Sequence, residues 1–74
     1  MTEKTIFSKE YKRIVQAIQK ARHTAGLTQM ELAKKLDKTQ SYISKVEAAQ
    51  VRVDAVQLKQ IARVLRVNIR DLLR

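Results

Sequence analysis

The sequence predicts an all-α fold, a compact orthogonal bundle of five helices. Three observations lead there. The chain has no Pro and only one Gly in 74 residues, and it is rich in Lys, Gln, Ala and Leu, which favour helix. Apolar residues recur at intervals of three and four, not two. Three helix starts repeat one signature, a capping residue with a polar partner three positions on, bracketed by apolar residues.

Residues 1–7 read as a flexible arm and residues 8–74 as the folded domain, although Ile6 and Phe7 are apolar enough to dock. Ser8 is a suitable N-cap for a first helix. Tyr11, Ile14, Val15, Ile18, Arg22 and Ala25 follow helical spacing along it, with Lys12, Arg13, Gln16 and Lys20 off that stripe. Gly26 ends this helix, because a residue without Cβ adopts the left-handed closing conformation freely. Thr28 caps the second helix, Glu31 completes a capping box, and Leu27 with Leu32 forms a hydrophobic staple. This helix carries Leu32, Ala33 and Leu36. Asp37, Lys38 and Thr39 form a turn, with Asp37 where a left-handed backbone is needed. Thr39 caps a third helix that turns Ile43 and Val46 inward. Val53-Asp54 with Gln57-Leu58 opens a fourth helix, whose inner face is Leu58, Ile61, Ala62 and Leu65. Val67-Asn68 with Asp71-Leu72 opens a short fifth. The expected core is Ile14, Val15, Ile18, Leu32, Ala33, Leu36, Ile43, Val46, Leu58, Ile61, Leu65 and Leu72.

Composition excludes several kinds of chemistry. With no Cys and one His, neither a disulfide scaffold nor a Cys/His zinc site is available. His23 has no clustered acids around it in the sequence, so an enzyme is not indicated, and neither a metal nor a cofactor is implied. No apolar run approaches the roughly 20 residues that span a bilayer. The first ten residues lack the apolar core of a signal peptide, so a reducing cytoplasm is the expected compartment. A membrane-surface role would need bulky aromatics opposite the charges, and only Phe7, Tyr11 and Tyr42 are present. Sixteen Lys/Arg against seven Asp/Glu give a net charge of +9, which favours a polyanionic partner but is also compatible with a merely solvated basic surface.

The stretch from Thr28 to Glu47 makes the partner specific. It reads as two short helices with a break, a helix-turn-helix whose second helix is presented outward. Gln40, Ser41, Ser44 and Lys45 fall on the outer side of that helix. Amide, hydroxyl and amine groups of this kind read base edges in the major groove of DNA. Taken alone they would pass for an ordinary solvated face; the preceding helix, the turn and the charge favour DNA.

The run GLTQMELAKKLDKTQSYISKVE resembles the phage repressor and Cro helix-turn-helix family, also called the Xre family. That family shows a Gly-Leu-Ser/Thr-Gln opening, then Glu-Leu-Ala, then Ser/Thr-x-x-x-Ile-Ser-x-x-Glu. IARVLRVNIRDLL is similar to its fourth and fifth helices, so the likeness covers roughly residues 10–73. It implies a lambda-repressor-like DNA-binding domain acting as a sequence-specific transcriptional regulator, a repressor, on double-stranded operator DNA. It further implies that Gln29 binds phosphate and buttresses Gln40. Gln40, Ser41, Ser44 and Lys45 then face bases. Thr39 and its neighbouring amides hold phosphate, Tyr42 lies at the interface edge, and Arg22 pairs with Glu47 behind the recognition helix. Lys38 and Arg52 are the further cations favoured as phosphate contacts. Arg63, Arg66, Arg70 and Arg74 are favoured as surface charges. The family commonly has Gly where this chain has Asp37, Ala49 and Arg66, and Pro where it has Val53. Loop conformation is therefore the part least carried by the resemblance, above all from Ala48 to Val53.

Val51, Val56, Val64, Ile69 and Leu73 are left over once the core is filled. They are either scattered surface residues or the interface of a homodimer, whose twofold symmetry would match a palindromic operator. The alternative function is an antitoxin or controller-type module whose main role is to hold a partner protein.

Overall fold

The computed structural model describes residues 8–73, so the expected arm at 1–7 lies outside the described residues. Among these the chain forms α1 (Lys9–Thr24), α2 (Gln29–Lys35), α3 (Gln40–Glu47), α4 (Ala55–Leu65) and α5 (Ile69–Leu73), with no strand. Each start is a side chain taking up a backbone amide that the helix cannot satisfy itself. Ser8 Oγ accepts from Tyr11 N at 3.0 Å, Thr39 Oγ1 from Tyr42 N at 3.1 Å, and Asp54 Oδ1 from Gln57 N at 2.7 Å. At α2 the exchange is reciprocal. Thr28 Oγ1 accepts from Glu31 N at 3.0 Å, and Glu31 Oε1 accepts from Thr28 N at 2.8 Å. Hydrogen bonding to the Thr28 backbone N–H first, and then to the Thr28 side chain, holds the Glu31 carboxyl below its ordinary value. At α4 the Asp54 bond is a cap only, since Gln57 donates its side-chain amide to Gln60. At α5 Asn68 Oδ1 accepts from Arg70 N, one residue earlier than in a box.

The helix ends share one geometry. Gly26 has φ +75°, and Asp37, Ala49 and Arg66 have φ between 58° and 59°. After α1, Leu27 N donates to Arg22 O and Gly26 N to His23 O; the same pair of crossed bonds follows α2, α3 and α4. This is the Schellman closure. The positions where the family carries Gly are therefore left-handed here as well, but occupied by residues with a Cβ, at a cost near 1–2 kcal/mol each.

Each helix sends at least one fully buried side chain inward: Ile18, Leu32, Ile43 with Val46, Ile61, and Leu72. The expected core is buried except for Ile14, which is half-buried. Tyr11, Ala62 and Arg22 are buried in addition. α2 packs mainly on α3, while α1 touches α3, α4 and α5. Val64 and Ile69 pack against the core and are half-buried, so of the left-over apolar residues only Val56 and Leu73 are well exposed. No helix among the described residues is long and apolar enough to cross a membrane.

The loop between α3 and α4 is tied to α1 by one hydroxyl. Tyr11 Oη donates to Val51 O at 2.7 Å and accepts from Val53 N at 3.0 Å. The second bond needs an N–H at residue 53, which a proline would lack. Burial is the main effect on the Tyr11 hydroxyl and pushes its pKa up, against the lowering influences of the Val53 bond and of Arg52.

Two expectations follow. A Cβ on Gly26 would meet nothing within 4 Å, so Gly26→Ala carries only the backbone penalty and should lower stability by about 1 kcal/mol once unfolded-chain entropy is counted. Ala49→Gly should raise it by a similar amount. Thermal melts should therefore move in opposite directions by about 4–8 °C, and equal shifts of the same sign would contradict the shared closure. Tyr11→Phe leaves the part-buried Val53 N–H and Val51 C=O without this partner and should cost about 1 kcal/mol in urea unfolding. Because the hydroxyl pKa is raised in the fold, its stabilisation is intact below the ordinary value of 10.0 and is lost as pH rises through the raised value. The Phe variant should lose this part of the alkaline destabilisation.

Candidate nucleic-acid interface

α3 is only eight residues long, so its neighbours must hold it in place. Ile43 and Val46 are buried, and they point the opposite side outward. Gln40, Ser41, Ser44 and Lys45 are all exposed, as are Lys38, Thr39 and Arg52. Gln40 and Ser44 are four apart and so share a face. Thr39 Oγ1 accepts its capping bond, and its hydroxyl proton can still be donated outward. The amides of Gln40 and Ser41 belong to the first turn, which has no intrahelical acceptors for them. Tyr42 is half-buried, and Lys38 Nζ lies 5.5 Å from the centre of its ring. Burial first, then the Asp54 carboxylate and Tyr11, push the Tyr42 hydroxyl pKa up, so it stays a neutral donor.

Behind α3 lies the ion pair expected from the sequence, in a wider network. Arg22 Nε donates to Glu47 Oε2 at 2.7 Å and Arg22 Nη2 to Glu47 Oε1 at 3.0 Å. The side chains are 7% and 3% exposed. Arg22 Nη1 donates to Leu27 O at 2.8 Å, and Nη2 is 3.1 Å from His23 Nε2. Gln29 Nε2 donates to Glu47 Oε1 at 3.0 Å. The Gln29 amide nitrogen is thus engaged with the back of α3, while Gln29 and Gln40 border the same open depression with Arg22, Leu27 and Met30. Among the described residues no buried side-chain nitrogen or oxygen lacks a partner, and no group of three or more His, Cys, Asp or Glu could hold a metal ion.

A family model described as helix-turn-helix matches residues 18–72. The chain belongs to the helix-turn-helix family. Within it the protein is of the Xre-like type and is a DNA-binding regulator. Its fold is similar to the crystal structure of the restriction-modification controller protein C.AhdI from Aeromonas hydrophila. That match has a TM-score of 0.80 and 28% identity, and it covers 88% of this chain and 98% of that one. No curated protein matches the sequence.

Two features of this helix-turn-helix protein were not anticipated from its residues: the Tyr11 tie to the α3–α4 loop and the bond from Gln29 to Glu47. Tyr11 lay on the apolar stripe of α1, where a buried phenol needs partners; that signal was present. The Gln29 bond depends on how α2 crosses α3, which no local pattern encodes.

Removing one partner of the buried pair should be far more damaging than breaking an exposed one. Glu47→Ala leaves the Arg22 charge buried and should lower unfolding free energy by about 3–5 kcal/mol. A loss below about 1 kcal/mol in denaturant titration, as for an exposed pair, would remove the pair from its anchoring role.

Proposed function

We propose that the protein is a sequence-specific repressor that lays α3 in the major groove of duplex DNA. The observation that carries this reading is that Gln40, Ser41, Ser44 and Lys45 are exposed together while Ile43 and Val46 of the same short helix are buried. Gln40 and Lys45 have the reach to hydrogen-bond base edges, Gln as a bidentate partner for adenine and Lys for guanine. Ser41 and Ser44 allow close approach. Lys38, Thr39, Tyr42 and Arg52 engage phosphates, supplying much of the affinity and its salt dependence. Gln29 aligns the start of α2 with α3 through Glu47 and lies at the phosphate side of the interface. No catalytic role is assigned to any residue.

The protein acts as a homodimer on a palindromic operator, with half-sites about 34 Å apart. Val56 on α4 and Leu73 on α5, 65% and 50% exposed, support an interface built from those helices. A cytoplasmic location follows from this role. The structural likeness to a restriction-modification controller supports a regulatory role over that of a module that mainly holds a partner protein.

Selection of bound sequences from random duplexes, followed by affinity measurements at several salt concentrations, tests the proposal. Gln40→Ala should weaken binding to the selected operator by about 1–3 kcal/mol and leave random-duplex binding unchanged. Arg52→Gln should weaken both and reduce the salt slope by about 1. Equal affinity of the unaltered protein for selected and random DNA would refute the proposal.

A further inference from the structure

Met30 is 59% exposed in the first turn of α2. Among the described residues, the other well-exposed large apolar side chains, Val56 and Leu73, belong to α4 and α5. Met30 instead borders the depression that also contains Gln40, the first residue of α3. The adjacent Gln29 is bonded to Glu47 of α3, so the start of α2 is fixed against the helix that carries Gln40. An apolar side chain is thereby held beside an otherwise polar reading face.

We infer that Met30 is a specificity-determining residue that packs on the C5-methyl group of a pyrimidine next to the bases met by Gln40. This rests on the proposal that α3 enters the major groove. Methionine has no donor and only a weak acceptor, so it adds nothing to a phosphate contact. The apolar feature that base pairs display in the major groove is the thymine methyl. An unbranched, polarizable thioether adapts its shape to such a group. Desolvating the methyl against Met30 favours thymine over cytosine at that position without any hydrogen bond. A 5-methylcytosine presents the same methyl.

The test uses the full chain and its selected operator. Each thymine is replaced singly by uracil, which removes only the methyl, and each cytosine singly by 5-methylcytosine. Dissociation constants are measured for the unaltered protein, Met30→Ala and Met30→Leu. Uracil at one position per half-site should weaken binding by the unaltered protein about four-fold, the factor associated with one buried methyl-sized group. Met30→Ala should bind thymine and uracil operators equally, while Met30→Leu keeps the preference. A gain confined to 5-methylcytosine, and abolished by Met30→Ala, would also support the contact and identify a methylated cytosine as its source. The inference is overturned if the unaltered protein is indifferent to the methyl at every position. It is also overturned if Met30→Ala retains the preference or weakens operator and random duplexes equally. In those cases a continued preference for operator over random DNA leaves the groove-reading proposal standing; loss of that preference in the unaltered protein would overturn both.

Discussion

The Arg22–Glu47 pair is the constraint on which the geometry of the reading helix depends. α3 is too short to be stable alone, and its two buried side chains, Ile43 and Val46, fix which side faces inward more firmly than they fix its tilt. The bidentate guanidinium–carboxylate contact is directional. It joins the end of α3 to α1, and through the Leu27 carbonyl and the Gln29 amide it includes the α1–α2 loop and the start of α2. The desolvation cost of two buried charges means that the pair is weak evidence for added stability. Its consequence is orientation: three helices and the α1–α2 loop meet at one hydrogen-bonded cluster.

Helix starts and helix ends differed in how readable they were. Ser8, Thr28, Thr39 and Asp54 cap where the sequence indicated, because capping depends on a short polar side chain one residue outside the helix. Of the four helix ends closed by crossed bonds, those at Gly26 and Asp37 carry a residue that tolerates the left-handed conformation, whereas Ala49 and Arg66, also left-handed, have no local preference for it. Ala49 and Arg66 take it up within the crossed backbone bonds that close α3 and α4. Val53, where the family commonly has Pro, uses the N–H that a proline lacks to bond Tyr11 Oη, a long-range contact that no local pattern encodes.

The outward positions of the site were legible for a simple reason. Once Ile43 and Val46 are assigned inward, helical geometry places Gln40, Ser41, Ser44 and Lys45 away from the core. The Arg22–Glu47 partnership came from family resemblance, and the contacts that broaden it came from tertiary structure. Ile69 and Val64 show the limit of counting apolar residues: both lay outside the expected core, yet both pack against it. Apolar character indicates a need for cover, but it does not say whether the cover is the same chain or another.

The Tyr11 hydroxyl has a consequence beyond holding a loop. By bonding on both sides of Arg52, to Val51 and Val53, it makes the span between α3 and α4 part of the folded body. A DNA duplex would then meet a preformed die, not a strand that must settle after contact. Conformational freedom that a slack connection would surrender on association has already been given up in folding. On the proposed reading, the phosphate contacts of this surface would form with little backbone ordering left to oppose them.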